Sequence, residues 1–481
     1  MSLLLILLIL LPLAASVLIM LGAHPRVMAL GASILNLLIS VVLFARYDLT
    51  AGGWQFLSEW KILPQLGINM TLGADGLTLT MLLLATLVTL SAIWIAPKIE
   101  KREGVYYVCL LFISAGVIGA FASLDVLFLY SFHELALIPT FIMIGVWGSG
   151  DRQAAAWKAT IYLGLGSFVL LIGLLGLYLS IPAASRTLDL RQLDQMAIAG
   201  TFHPSSLIYL ILLVGFGSLV SLFPFHSWAP PAYACAPAPT AMMHAGVLKK
   251  FGLYGLIRIA LPLFPDAMHQ FNGLLLLLVI GNILYIGYAT VAQKRLDWTI
   301  GYSSVMHMGY IFLGLASLNV IGVNGAMILM FAHGLSVAAA FALCGEIRRR
   351  TGTLDYSELG GLAKVTPVLG LLFGFAAMAS VGLPGFANFA GEILVFFGAT
   401  SYGPAMILPV IVGVWGVVIS AIYMLRAYRS TFWGPMIARW ESLTDITPTA
   451  TWSVILLLVP LMIVGFYPQL LVKMVTTALP R

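Results

Sequence analysis

Asp125-Val-Leu-Phe-Leu-Tyr-Ser-Phe-His-Glu-Leu-Ala-Leu-Ile-Pro-Thr-Phe-Ile-Met-Ile-Gly-Val-Trp147 is long and apolar enough to cross a bilayer, yet it carries Glu134 near its middle. A charge at that depth costs about 2.5–3.5 kcal/mol, so such residues either fix helix packing through an ion pair or mark an ion path. The whole 481-residue chain has the same character: 61% of it is hydrophobic and only 9% is charged. That composition excludes a soluble domain and implies an all-α polytopic membrane protein.

Apolar windows predict helices near 2–22, 27–45, 74–96, 105–122, 125–147, 153–181, 205–223, 238–262, 270–293, 297–318, 319–346, 364–396, 403–428 and 450–474, about fourteen in all. The first run, Ser2 to Gly22, lacks a basic leading segment and a small-residue cleavage site, and is read as a retained helix. The formal charge of +6 lies in the connections. Most of the Lys and Arg, including Lys101, Arg102 and the run Arg348-Arg-Arg350, follow odd-numbered helices, which assigns those loops to the cytoplasm. Arg46, Lys61, Arg186, Arg191, Lys473 and Arg481 fall on the other side, where both termini are expected. Basicity here reads as topology, and nucleic acid is not implied.

Two helices are interrupted at membrane depth. The seventh runs into Leu222-Phe-Pro-Phe-His-Ser-Trp-Ala-Pro-Pro231, and the twelfth contains Ser380-Val-Gly-Leu-Pro-Gly-Phe-Ala-Asn-Phe-Ala-Gly-Glu392. Unwound backbone is tolerated there only where protein or a wet cavity satisfies it. Breaks five helices apart suggest two inverted five-helix repeats, helices 4–8 (105–262) and 9–13 (270–428), after three N-terminal helices (1–104) and before a last helix (450–474).

The polar residues inside these windows are few: Glu134, His226 at the first break, His244 with Lys249 and Lys250, His307, His333 and Glu392. Glu, Lys and His take and release protons, and burial tunes them toward neutrality, so their recurrence suggests stepping stones for an ion. Singly, His244, His307 and His333 read more readily as hydrogen-bonded packing residues or helix-to-helix contacts. His226, beside Pro224, either satisfies freed carbonyls or conducts. Lys249 and Lys250 point about 100° apart, so one is expected to titrate while the other snorkels or pairs. Asp75 and Asp125 read as helix N-terminal acids. Small residues in Gly164-Leu-Gly-Ser167 read as a close helix contact. No histidine pair has metal-ligand spacing, and Cys109, Cys235 and Cys344 are scattered, so no metal, iron–sulfur centre or other cofactor is expected on this chain.

Phe132-His-Glu-Leu-Ala-Leu-Ile-Pro139, Pro224-Phe-His-Ser-Trp228 and Ala236-Pro-Ala-Pro-Thr-Ala-Met-Met-His-Ala-Gly-Val-Leu-Lys-Lys-Phe-Gly-Leu-Tyr-Gly-Leu-Ile-Arg258 resemble the antiporter-like subunits of proton-pumping NADH:quinone oxidoreductase, respiratory complex I. The likeness continues through Gly301-Tyr-Ser-Ser-Val-Met-His-Met-Gly309, Ala332-His-Gly-Leu-Ser336 and Gly391-Glu-Ile393. Subunit M fits best, because subunit L adds a long lateral helix. Multisubunit sodium/proton antiporters and membrane-bound hydrogenases have similar subunits.

The resemblance implies a membrane-arm subunit of a large hetero-oligomeric translocase in the bacterial inner membrane, with NADH and quinone bound by other subunits. Glu134 matches the glutamate that pairs with a lysine and couples neighbouring subunits. Lys250 matches the lysine that passes the proton inward, His307 and His333 the central relay, and Glu392 the acid of the exit half-channel. One departure stands out: the family's lysine seven residues before the Pro-Phe-His histidine is Leu219 here, and Trp228-Ala-Pro-Pro-Ala-Tyr233 replaces Trp-Leu-Pro-Asp-Ala-His. Either Lys249 or Lys250 then substitutes as the partner of Glu134, or the channel is weakened and the chain becomes largely structural.

Overall fold

The computed structural model describes residues 1–478, so Arg481, counted above on the outer side, lies outside the described residues. The chain is a multi-pass helical membrane protein: among the described residues, ten helical stretches are long and apolar enough to cross a bilayer, and two shorter apolar helices accompany them. The elements run α1 (Ser2–Met20), α2 (Pro25–Arg46), β1 (Gln55–Leu63), β2 (Ile68–Ala74), α3 (Gly76–Ile95), α4 (Glu103–Ala122), α5 (Val126–Trp147) and α6 (Arg152–Ser180). A short helix α7 (Leu190–Ile198) precedes α8 (Ser206–Val220), α9 (Ala229–Cys235), α10 (Ala238–Met243), α11 (Lys250–Gly255) and α12 (Leu261–Leu263). Then come α13 (Pro265–Ile280), α14 (Ile286–Val291), α15 (Leu296–Ala316), α16 (Val320–Thr351), α17 (Pro367–Val381), α18 (Ala387–Tyr402), α19 (Ile407–Phe432), α20 (Pro448–Phe466) and α21 (Gln469–Thr476).

Helix starts follow local chemistry. Asp75 and Asp125 cap α3 and α5, accepting from Thr78 N at 2.9 Å and Leu127 N at 2.9 Å, as acids at helix N-termini do. Asn319 caps α16 through Gly322 N at 3.0 Å. Several boundaries differ from the apolar windows. The 364–396 window holds two helices, because Gly382 takes φ +78° and Pro384 cannot extend α17; α18 then runs on to Tyr402. The 450–474 window is split at Tyr467-Pro468 into α20 and α21 for the same reason. The antiparallel hairpin β1–β2, with Glu59 opposite Thr71 and Trp60 opposite Met70, was not expected from the apolar pattern. Nor was α7, a short amphipathic helix outside the spans.

α16 is buried along its whole spanning window, and α3 and α4 nearly so, whereas α1, α2, α5, α6 and α19 keep one face outward. A helix apolar on every side belongs inside other helices, so α16 is the axis of the fold. Between α10 and α11 the residues His244–Leu248 form a π-turn, and Leu256–Ala260 form another after α11. α16 crosses the first of these at contact distance: a β-carbon at Gly334 would lie 2.7 Å from Gly246 O, and one at Gly246 would lie 2.9 Å from Gly334 O. In the Gly164-Leu-Gly-Ser167 stretch only Gly166 makes such an approach, with Ser218 of α8, while Gly164 faces open space.

At one edge, the α7 carboxylate Asp194 shares a cavity of about 240 Å³ with Asp75 and Arg258. Burial pushes Asp194 up to about 6, against the pull of Arg258 and with a push from Asp189 and Asp75. A carboxyl raised above its ordinary 3.8 binds its proton more tightly when folded, so its contribution favours folding at low pH and is lost as pH rises toward 6.

Two outcomes follow for thermal unfolding of the purified protein in detergent. Gly334→Ala, which forces the two backbones apart, should cost about 1–3 kcal/mol, whereas Gly31→Ala, with no atom within 4 Å of the added carbon, should cost nothing. Equal behaviour of the two would contradict the close crossing. Asp194→Asn should raise the unfolding temperature more at pH 8 than at pH 5, and a gain independent of pH would show that the carboxyl is not held protonated by burial.

Candidate functional site

Lys249 and Lys250 are both fully buried, so of the two options left open for the lysine that does not titrate, snorkelling and pairing, snorkelling does not occur. Their angular separation on the helix sends them to different neighbours. Lys249 Nζ donates to the carbonyl of Ser304 on α15 at 3.2 Å and lies 5.7 Å from the ring centre of Tyr233. Lys250 Nζ donates to Ala245 O at 2.9 Å and shares a hydrogen bond of 2.8 Å with His333 Nδ1 of α16. With Lys250 as an ammonium, which has only donors, the His333 ring carries its proton on Nε2.

From His333 the polar line continues in two directions. Its ring lies 5.6 Å from that of His307 on α15, whose Nε2 is 3.2 Å from Tyr423 OH; Tyr423 OH is in turn 2.9 Å from Ser303 Oγ. Its carbonyl accepts from Ser336 Oγ at 3.3 Å, and Asn388 Nδ2 donates to Ser336 Oγ at 3.4 Å. Asn388 stands one turn before Glu392 on α18, directly after the second helix break. Glu392 is buried against Gly382, where any β-carbon would collide with its carboxylate. Among the described residues His307 Nδ1, Tyr310 OH, Asn388 Oδ1 and Glu392 Oε1 are buried without a hydrogen-bond partner. Buried polar atoms in folded proteins find partners, so this group calls for bridging water.

Glu134 lies apart from this line. Its side chain is 35% exposed, accepts a hydrogen bond from Ser167 of α6, and sits 3.4 Å from His133 Nδ1. His133 is buried and stacks on Phe251, the residue after Lys250, at 3.9 Å between ring centres. Neither lysine comes within ion-pair distance of Glu134 among the described residues, so direct substitution for the lysine absent at Leu219 does not occur. Leu219 is buried and abuts Gly166, next to the serine that bonds Glu134. Glu134 and His244 instead line one cavity of about 170 Å³, with His244 held between the rings of Trp228 and Tyr233 at 5.3 and 5.5 Å.

His226 stands outside both groups. It stacks on Phe223 at 5.7 Å and meets Tyr285 edge-on, with Nδ1 unpartnered among the described residues. At the same break Asn282 Oδ1 accepts from Phe223 N at 2.5 Å, and Trp228 Nε1 donates to Ser218 O at 3.1 Å. The structure therefore brings Lys250, His333 and His307 together, sets Ser336 and Asn388 between the backbone of His333 and the helix that carries Glu392, and places Glu134 and His244 on one cavity. The bridging Tyr423, Ser303, Ser336 and Asn388 were missed in the sequence. Asn388, four residues before Glu392 in an apolar window, carried a readable signal; the others look like ordinary helix residues.

Comparison with known proteins is consistent along the chain. The family described as NADH:quinone oxidoreductase/Mrp antiporter, transmembrane, matches residues 123–420. NAD(P)H-quinone oxidoreductase chain 4-2 of Synechocystis sp. is 36% identical over 421 residues, covering 86% of this chain and 74% of that protein. A chain of respiratory complex I from Thermus thermophilus, solved with bound NADH, superposes with a TM-score of 0.88 at 28% identity, covering 98% of this chain and 99% of that one. A chain of the Mrp complex from Dietzia sp. shares the fold at 20% identity, with a TM-score of 0.86 over 99% of this chain and 96% of its own.

Tyr423→Phe removes the hydroxyl shared by His307 and Ser303 and should destabilise the protein by about 1–3 kcal/mol in thermal unfolding. Tyr402→Phe, which loses only an exposed contact to His269, should lie near zero. A neutral Tyr423→Phe would mean that the hydroxyl is not a structural partner of His307.

Proposed function

This chain belongs to the NADH:quinone oxidoreductase/Mrp antiporter family of membrane subunits, and we propose that it is the proton-translocating, subunit M-like member of the membrane arm of a quinone-reducing complex. In this reading electrons pass from NAD(P)H to quinone on other subunits, and this chain holds no redox cofactor. Fourteen spans cross the bacterial cytoplasmic membrane with both termini outside. The segments 105–262 and 270–428 form inverted repeats whose broken members are α8–α9 and α17–α18.

The contact of Lys250 Nζ with His333 Nδ1 at 2.8 Å carries the reading. An ammonium and a neutral imidazole at that distance exchange one proton once the local field reverses their order of basicity. From His333 the proton passes to His307 and then, over water that would bridge the unpartnered His307 Nδ1, Asn388 Oδ1 and Glu392 Oε1, to Glu392 beside the helix break. The field change originates at Glu134, on the outward face of α5, where a neighbouring subunit would act on it. Its route inward is the cavity shared with His244, together with His133 stacked on Phe251. Ser167 and His133 support the glutamate in place of the lysine missing at Leu219.

Glu392→Gln in the assembled complex should lower the number of protons translocated per electron while quinone reduction continues. Proton uptake and electron flow measured together on membrane vesicles check this, and an unchanged ratio with normal assembly would refute the role of Glu392.

A further inference from the structure

A groove lies at the end of the bundle assigned to the cytoplasm by its Lys and Arg, and the proton path uses none of it. Its volume is about 400 Å³, and it is lined by Asp151 and Lys158 of α6, Ser227 at the first helix break, and Arg295, Trp298 and Tyr302 along one face of α15. Lys158 stands two turns inside the apolar span of α6, is itself exposed, and has the largely exposed Trp157 and Ile161 beside it, so it faces the membrane. It makes no ion pair among the described residues. A free ammonium at that depth is costly. Side chains of a helix lean toward its N-terminus, which carries this one up into the groove that Arg295 also lines.

The charges there do not balance. Arg295 donates Nε and Nη2 to Asp297 at 3.2 and 2.8 Å, and its Nη1 makes no hydrogen bond among the described residues. Asp297 is shared with Arg348, and Asp151 caps α6 through Ala154 N at 3.3 Å. Lys158, Arg295 and Arg348 thus face two carboxylates, with one positive charge in excess. Toward the membrane interior the charges give way to rings. Trp298 and Tyr302 stack at 6.1 Å between centres. Beyond Ser227, which donates to Tyr162 OH at 3.0 Å, the exposed Tyr285 meets Phe223 and His226 edge-on.

A lysine that merely reached for water would need neither the second cation nor the aromatic bed. We propose that the groove binds an anionic phospholipid of the cytoplasmic leaflet, with its phosphodiester between Lys158 and Arg295 and one acyl chain along Trp298, Tyr302 and Tyr285. A phosphodiester only accepts and the two cations only donate, so the headgroup is complementary to them. The aromatic bed selects a hydrocarbon chain, which a free anion lacks. A lipid so seated spans from α6 to α15 and is independent of the proton path.

The full chain, purified in a non-ionic detergent and stripped of lipid, is titrated separately with phosphatidylglycerol and phosphatidylcholine, and bound lipid is counted by native mass spectrometry. Phosphatidylglycerol should bind the more tightly, and Lys158→Gln should weaken it about fivefold, the effect of one interfacial cation, without changing phosphatidylcholine. Lys98→Gln, which removes an exposed cation outside the groove, should change neither. Equal losses in the two variants, or none in Lys158→Gln, would overturn the site. Displacement of phosphatidylglycerol by inorganic phosphate would overturn it too, since the groove would then take any free anion. A zero-length carbodiimide cross-link from Lys158 to a neighbouring subunit in the assembled complex would do the same, because a partner's carboxylate would hold the ammonium. Should Lys158→Gln fold poorly, phosphatidylglycerol with brominated acyl chains decides. Quenching of tryptophan emission that disappears in Trp298→Phe supports the groove, and quenching that Trp298→Phe leaves intact overturns it.

Discussion

Lys250 reaches His333 because two backbones touch at Gly246 and Gly334. A side chain on either glycine would push α16 off the π-turn that precedes the lysine. The widened turn matters as well, since the carbonyl of Ala245 within it accepts from Lys250 Nζ. With one hydrogen bond to its own helix and one to α16, a long flexible side chain is fixed in a buried position that it would otherwise leave for the membrane surface.

The bilayer imposes the rest. Polar groups facing lipid are costly, and at the interruptions Asn282 and Trp228 bond the backbone of 218–223 while Glu392 packs on Gly382, even though Pro224, Leu383 and Pro384 reach the surface of the subunit. Central α16 carries His333 and Ser336, and the broken α17–α18 unit carries Asn388 and Glu392 against it. Glu134 is the exception that fits the same constraint. It keeps one side toward the outside of the subunit, where the neighbouring subunit proposed above would supply the missing environment.

Much of this was legible in the sequence, for a physical reason: charged and imidazole side chains are so expensive in apolar windows that rarity alone singles out Glu134, Lys249, Lys250, His307, His333 and Glu392. Helix breaks at Pro224 and Pro384 were legible from backbone chemistry. What was hidden is spatial order. Nothing in the spacing tells that His333 meets Lys250 before His307 does, that Leu219 faces the helix of Ser167, or that His226 lies off the line. The hydroxyl and amide bridges were hidden too, because Ser, Thr and Tyr are common in membrane helices and acquire meaning only through their partners. The hairpin β1–β2 escaped because a short amphipathic segment between spans has no apolar run to betray it.

The account stands on a wet, continuous connection between Lys250 and Glu392. A density map of the assembled complex in a lipid nanodisc, at a resolution that resolves ordered water, tests it most directly. Water within hydrogen-bond distance of His307 Nδ1, Asn388 Oδ1 and Glu392 Oε1, joining the histidines to the carboxylate, is the result expected here. Dry apolar packing between His307 and Glu392 would contradict it.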